Sequence, residues 1–315
     1  MRMKALVTGG AGFIGSHLVE ALIRDGHTVV VIDNLSVSDA NVSFIKNLGA
    51  EFHQADIINF ETIEPLFKDV TVVFHLAAMN RAQRSIEQPL DANDVNVTGT
   101  LNCLEASRRH KANKFIFVSS SSVYDPTRTE PLEEDMPLKP PHPYGVGKLA
   151  GEHYTRVYYE LFGLPFVTLR YFSVYGPRQL GTIDKPGVVA KFIHQAMTDT
   201  PLDVFGNGTQ QRNFSYVKDV VAYTLRAAQE ERAVGEVFNI AAEQEISVLE
   251  LAQEVQNAVG KNVGTAHKPR PTGDPDRNPV SVSKAKRLLN YTPQYTFEQG
   301  IRETAAWYEQ TFLKQ

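Results

Sequence analysis

Apolar runs of strand length alternate with amphipathic stretches through the first half of the chain. "KALVT" leads into glycines and then a helical period over about residues 13–25, and "TVVVID" follows as a second run ending at Asp33. "AEFHQAD" ends a third run at Asp56, and "TVVFHLA" is a fourth. A helical stretch over residues 93–110 precedes "KFIFVSS", and another over residues 144–162 precedes "PFVTLRYF". Near-continuous Val/Ile/Phe strands separated by helices predict a parallel sheet covered on both faces. Six such strands make a doubly wound α/β domain over residues 1–171.

Beyond Tyr171 the pattern loosens into "GPRQLGTIDKPG" and "FGNGTQQRN". Helical periods return over residues 217–230, 248–259 and 297–312, and "EVFNIA" reads as one more strand. These elements predict a smaller C-terminal α/β region over 172–214 and 242–315 that closes over the sheet. Residues from about 215 to 241 are expected to pack back on the first domain. "HKPRPTGDPDRNP" is a Pro-rich loop, and no internal repeat is visible.

Composition narrows the partners. The 315 residues are 42 % hydrophobic and 22 % charged, with a net charge of −4 spread along the chain. No Lys/Arg-rich stripe marks a nucleic-acid surface. No apolar run approaches the roughly 20 residues that cross a bilayer, and "MRMKALVTGG" enters a strand where a cleavable signal would carry its apolar core. Cys103 is the only cysteine, so no internal disulfide or cysteine metal cluster forms and a reducing cytoplasm is expected. In "GTLNCLEAS" it reads as core filler on a helix, and no metal site is expected.

Residues 8–15, "TGGAGFIG", set Gly9, Gly12 and Gly15 between the first strand and the first helix. Glycines there let the backbone approach a pyrophosphate, which the N–H groups and dipole of the helix N-terminus stabilise. Phe13 and Ile14 open that helix. Asp33 ends the second strand, where its carboxylate can take both ribose hydroxyls and repel a 2′-phosphate; this favours NAD over NADP. Asn34 follows it. Asp56, with Ile57 after it, can reach the adenine amino group or cap a helix. Leu76, Ala77 and Ala78 are small enough to let the chain pass beside a cofactor, whereas His75 reads as a packed strand histidine.

"YGVGK" puts Tyr144 and Lys148 on one helical face, one turn apart. "VSSSSVY" ends the fifth strand and places Ser120 24 residues ahead of Tyr144. Both segments start at the carboxyl ends of strands, where a doubly wound sheet binds its ligands. A phenol is a poor base at pH 7; bringing it near 7 takes about 3 pKa units, roughly 4 kcal/mol. An ammonium one turn away and a positive nicotinamide can supply that, and a serine hydroxyl can bridge substrate oxygen and phenol.

In order and spacing, "TGGAGFIGSH", Asp33, Asp56, "HLAA", "NVTGT", "SSSSVY", "YGVGK" and "RYFSVYGPRQ" resemble the extended short-chain dehydrogenase/reductases. Within them the chain is most similar to nucleotide-sugar 4-epimerases of the UDP-glucose (UDP-galactose) type, through "FGNGTQQRNFSYVKDVV" and "SKAKRLLNYTP". The resemblance implies Tyr144 as base and acid, Lys148 as the ribose-binding lysine that tunes it, and Ser120 as hydroxyl relay. It implies Asn96 and Tyr171 at the cofactor, Ser122 at substrate or cofactor, and Arg212 with Arg270 or Arg277 at the sugar-nucleotide diphosphate. It also implies a homodimer through the helices of residues 93–110 and 144–162.

Two positions depart from the commonest pattern of that family: Ser173 stands where "RYFN" has Asn, and Asn278 lies near a position that is a bulky aromatic in some members. The first keeps a glucuronate 4-epimerase in view, and the second would admit N-acetyl sugars such as UDP-GlcNAc. Members that eliminate water or carbon dioxide carry an acidic residue in the serine loop, where this chain has Ser121 and Ser122. The expectation is therefore epimerisation at C4: hydride to NAD, rotation of the 4-keto sugar, and hydride return. A dehydratase of the same family, a simple carbonyl reductase and a non-catalytic NAD sensor are the alternatives.

Overall fold

The computed structural model describes residues 3–80, 82–181, 186–270, 276–277, 279–290 and 292–312. Strands β1 (Lys4–Thr8), β2 (Thr28–Asp33), β3 (Glu51–Gln54), β4 (Val72–His75), β5 (Lys114–Ser120), β6 (Phe166–Tyr171) and β7 (Val237–Ile240) form one sheet. Its order is β7-β6-β5-β4-β1-β2-β3, with every pairing parallel. The order reverses at β1, between β2 and β4, so the crevice for a ligand opens beyond the carboxyl ends of β1 and β4.

Burial explains why these strands read as unbroken apolar runs. Phe115, Ile116 and Phe117 of β5 are fully buried, as are Val73 and Phe74 of β4. Each such side chain contributes roughly 1.5–3 kcal/mol by leaving water. Helices cover both faces: α1 (Phe13–Arg24), α2 (Gly99–Arg109), α3 (Pro143–Phe162) and α4 (Val217–Gln229). In α3, Pro143 occupies the first turn, the His142 imidazole accepts the Gly145 N–H at 3.2 Å, and Gly163 ends the helix with φ +68°.

Three readings of the pattern are refined. The helical stretch over residues 93–110 is divided: a short helix, Pro89–Asn93, passes through a π-helical turn, Asp94–Thr98, into α2. The wide turn carries Asn96, whose side chain brackets Met79 by accepting its N–H at 2.9 Å and donating to its carbonyl at 3.2 Å. The third strand ends at Gln54, two residues before Asp56. The "EVFNIA" strand is β7, a seventh member of the sheet beside β6.

The C-terminal elements pair in short pieces. Leu202–Phe205 runs parallel to Thr265–Lys268, and Gln211–Arg212 antiparallel to Ile246–Ser247. Helix α5 (Val248–Val259) starts in a complete capping box between Ser247 and Glu250, and α6 (Phe297–Phe312) packs Phe297 against Tyr175 and Phe214. Val188–Met197 and Ser283–Leu289 are helices the periodicity did not announce. Among the described residues, no helix is long and apolar enough to cross a membrane.

Candidate active site

The glycine turn sits at the switch point. Gly9 has φ +70°, and a Cβ there would lie 2.8 Å from the Ala77 nitrogen, so the turn and the Leu76–Ala77–Ala78 segment run backbone against backbone. A Cβ on Gly15 would lie 2.1 Å from the Gly9 carbonyl oxygen, which seats α1 tightly under the turn. Gly12 is the N-cap of α1 and has no side-chain cap, so the first N–H groups of the helix are left for a ligand.

Asp33 faces this turn from the end of β2. Its Oδ2 accepts the Ala11 N–H at 3.0 Å and its Oδ1 accepts the Leu35 N–H at 2.9 Å. Burial pushes its pKa up, and the backbone N–H groups of Leu35, Ala11 and Gly12 oppose this. Beyond these bonds the carboxylate keeps lone-pair capacity with which to accept a ribose hydroxyl. Next to it Asn34 donates to Asp56 Oδ2 at 2.7 Å, and Asp56 Oδ1 accepts the Ile58 N–H at 3.1 Å. A turn no Cβ would fit, an uncapped helix start and a carboxylate at its rim suit an adenine dinucleotide.

His75 is a packed residue. Thr8 Oγ1 lies 2.8 Å from its Nδ1 and Thr100 Oγ1 3.0 Å from its Nε2, while Thr100 donates onward to the Asn96 carbonyl. That network assigns the proton to Nε2. Burial, then the Lys148 charge, hold its pKa down at about 3. Cys103 is buried on α2, and burial raises its thiol pKa. Among the described residues no cluster of His, Cys, Asp and Glu could hold a metal ion.

The serine run and the Tyr–Lys helix meet. β5 ends at Ser120, and Ser121–Val123 form one 3-10 turn in which the Ser122 N–H donates to Ser120 Oγ at 3.2 Å. A Cβ on Gly145 would lie 2.3 Å from the Ser122 carbonyl, so α3 begins directly on that turn. Tyr144 is half-buried; its backbone N–H donates to Ser85 Oγ at 3.1 Å, and its ring stacks on His142 with centroids 6.0 Å apart. Lys148 is only 2 % exposed, and its Nζ donates to the Val118 carbonyl at 2.8 Å. Burial brings its pKa down to about 7, and the Glu152 charge opposes that shift.

The remaining predicted positions spread over two regions. Tyr171 ends β6 beside Ser120, and its hydroxyl lies 2.5 Å from Thr224 Oγ1 in the core. Ser173 is exposed with a left-handed φ of +38°. Arg212, Arg270 and Arg277 gather at one edge of the C-terminal region. Arg270 pairs with Asp276 at 2.5 Å, the Arg212 charge acts on the same carboxylate, and Arg277 pairs with Glu245. Asn278 lies outside the described residues. Sequence reasoning missed Ser85, His142 and Glu152; only Glu152 left a signal, since it stands one turn beyond Lys148 on the same face.

A doubly wound sheet with a glycine turn at its switch point defines a dinucleotide-binding class of fold. Residues 5–241 match the NAD dependent epimerase/dehydratase family, and the chain belongs to that family. The UDP-glucose 4-epimerase of Thermotoga maritima, solved with UDP-glucose, is 34 % identical with a TM-score of 0.93, covering 98 % of this chain and 99 % of that one. The UDP-glucuronic acid 4-epimerase of Bacillus cereus, in complex with UDP-glucuronic acid and NAD, is 35 % identical with a TM-score of 0.91, covering 98 % and 100 %. The UDP-N-acetyl-alpha-D-glucosaminuronate decarboxylase of Bacillus cytotoxicus is 35 % identical over 325 residues, covering 98 % and 99 %.

Proposed function

We propose that the protein is an NAD-dependent isomerase that inverts C4 of a UDP-sugar, with UDP-glucose/UDP-galactose as the primary pair. The observation that carries this reading is the junction of the Ser120–Ser122 turn, which bears hydroxyls and no carboxylate of its own, with the start of the helix that carries Tyr144. When bound, NAD supplies the two-electron acceptor that takes the C4 hydride and gives it back. Tyr144, as phenolate, takes the proton of the 4-hydroxyl through Ser120 and returns it to the same oxygen once the sugar has presented its other face. Lys148 stabilises the phenolate from one turn along the helix, in a dry site where a charge acts strongly.

An elimination needs a second acid/base for the proton at C5, and Ser121 and Ser122 cannot do carboxylate work at neutral pH. That argues against loss of water as this chain's reaction. Gly9, Gly12, Phe13, Ile14, Gly15, Asp33, Asn34, Asp56, Ile57, Leu76, Ala77, Ala78 and Asn96 line the cofactor side of this reading. Arg212, with Arg270 or Arg277, takes the diphosphate, and Ser122 and Ser173 take substrate.

The cofactor domain in this reading is residues 1–171 with about 215–241, and the sugar-nucleotide domain is 172–214 with 242–315. Exposed Val146, Val157, Leu161 and Phe162 on the second helix of the predicted interface support a homodimer, and one buried free thiol suits the cytoplasm. The test is incubation with UDP-glucose, UDP-GlcNAc and UDP-glucuronate followed by product analysis. C4 epimers without net NADH are expected; a 4-keto-6-deoxy or pentose product overturns the reading.

A further inference from the structure

Val118, Ser119 and Ser120 are consecutive at the end of β5, and helix α3 holds the first two of them. Lys148 Nζ donates to the Val118 carbonyl at 2.8 Å, and Ser119 Oγ donates to Glu152 Oε1 at 2.5 Å. Side chains alternate along a strand, so Ser119 turns toward Glu152 on α3 while Ser120 is left at the strand end to cap the following turn. Arg170 is the register partner of Ser119 on β6. It grips Glu152 twice, Nε to Oε1 at 2.9 Å and Nη2 to Oε2 at 2.7 Å. Its Nη1 donates to the Tyr124 hydroxyl at 2.7 Å, which donates on to Asn239 Oδ1 at 2.7 Å.

Glu152 and Arg170 are 8 % and 2 % exposed, so both charges are desolvated. A well-packed apolar pair in such a place is commonly as stable or more so. Stability alone therefore gives no reason for an ion pair beneath the Tyr–Lys helix. The surroundings of Lys148 supply one. From β4 it faces His75, which burial holds neutral; from β5 it faces the Phe117 ring, 5.0 Å from Nζ. On β6 Arg170 is neutralised by Glu152 itself, and along α3 the flanking turns carry Tyr144 and Glu152. The carboxylate is the group that opposes the cost of burying the ammonium.

We propose that Glu152 is a positioning residue for the Tyr144–Lys148 couple: clamped by Ser119 and Arg170, its carboxylate stands one turn beyond the Lys148 ammonium on the same helix and ties the strand end carrying Ser120 to the helix carrying Tyr144. This rests on Tyr144 being the proton carrier, as proposed above.

The experiment is ultraviolet titration of the Tyr144 phenolate in NAD-loaded protein, taken as the difference from Tyr144→Phe, together with pH profiles of kcat. Removing Glu152 alone strands a buried guanidinium, so the main variant is Glu152→Gln with Arg170→Met. Its Tyr144 ionisation is expected to move up by about one pH unit, with about a tenfold loss of kcat below it. KM for the sugar stays within about twofold. Ser119→Ala loses about threefold in kcat and Ser119→Thr, which keeps the hydroxyl, recovers it. A folded double variant with an unmoved phenolate titration overturns the proposal, and so does a loss that falls on KM alone. Should the double variant not fold, Ser119→Ala decides: wild-type kcat overturns the proposal. The phenolate titration needs no sugar, so a wild type that epimerises nothing sinks the proposed function while Glu152 is still judged.

Discussion

The Asp33 carboxylate accepts the Ala11 N–H at 3.0 Å, so the residue that ends β2 also holds the glycine turn that follows β1. One side chain thus shapes the turn, and it stands where the proposed reading puts the ribose. Asp33→Ser is expected to release bound NAD, weakening it about 10–100-fold, the worth of one or two charge-assisted hydrogen bonds. Asp33→Asn keeps an acceptor and loses the charge, so its preference shifts toward NADP. Titration of each variant with both cofactors checks this; unchanged discrimination in Asp33→Asn would remove Asp33 from the ribose.

Tyr144 is half-buried and tethered at its backbone to Ser85, so replacing its hydroxyl alters chemistry and leaves the helix start in place. Tyr144→Phe is expected to cost about 10²–10⁴-fold in kcat while NAD stays bound. Product formation and released cofactor, measured on one sample, check it. A non-catalytic NAD sensor would show little effect of the same change.

At Gly9 two demands coincide, a left-handed φ of +70° and the Ala77 nitrogen 2.8 Å from any Cβ. Gly9→Ala is expected to lose about 1–3 kcal/mol of stability and most NAD affinity, because the turn can relieve the clash only by opening the switch point. Thermal unfolding with and without NAD reads both effects. A wild-type midpoint would show that the turn has more freedom than its geometry implies.

Acid should destabilise the fold through two buried histidines. Burial, then Arg178, holds His17 at about 3, and burial, then Lys148, holds His75 at about 3, against 6.5 for an ordinary imidazole. Between those values the unfolded chain binds protons the native state refuses. Stability is therefore full above the unfolded value and falls as pH drops toward the folded one, by about 1.4 kcal/mol per pH unit for each histidine. In His75→Gln, whose amide can still bridge Thr8 and Thr100, the decline between pH 6.5 and about pH 4.5 is expected to be shallower by one proton. Midpoints measured across that range check it, and an equal slope would mean His75 takes its proton within the fold.

Much of this architecture was legible because it is local. Strands β1, β2, β4, β5 and β6 are apolar on both faces, and that double burial is written directly into runs such as "KFIFVSS". The glycine turn and Asp33 follow from backbone space and charge at strand ends, which spacing reports. The π-helical turn at Asp94–Thr98 was not legible, since a helical period continues through it and the Met79 backbone that its Asn96 holds is distant in sequence. The helix Val188–Met197 was likewise hidden among loop-like neighbours.

The serine run divides along the same line. Its position after β5, and the absence of an acid at Ser121 and Ser122, belong to the chain as written. That Ser119 reaches Glu152, which Arg170 also holds, while Ser120 caps the following turn comes from strand alternation and a helix laid across the strand end. Linear order carries periodicity, turn chemistry and residue type, because those act over a few bonds. Partners 18 and 33 residues apart, such as Arg170 and Ser119 around Glu152, are chosen by packing, because only the closed fold removes the water that would otherwise satisfy them.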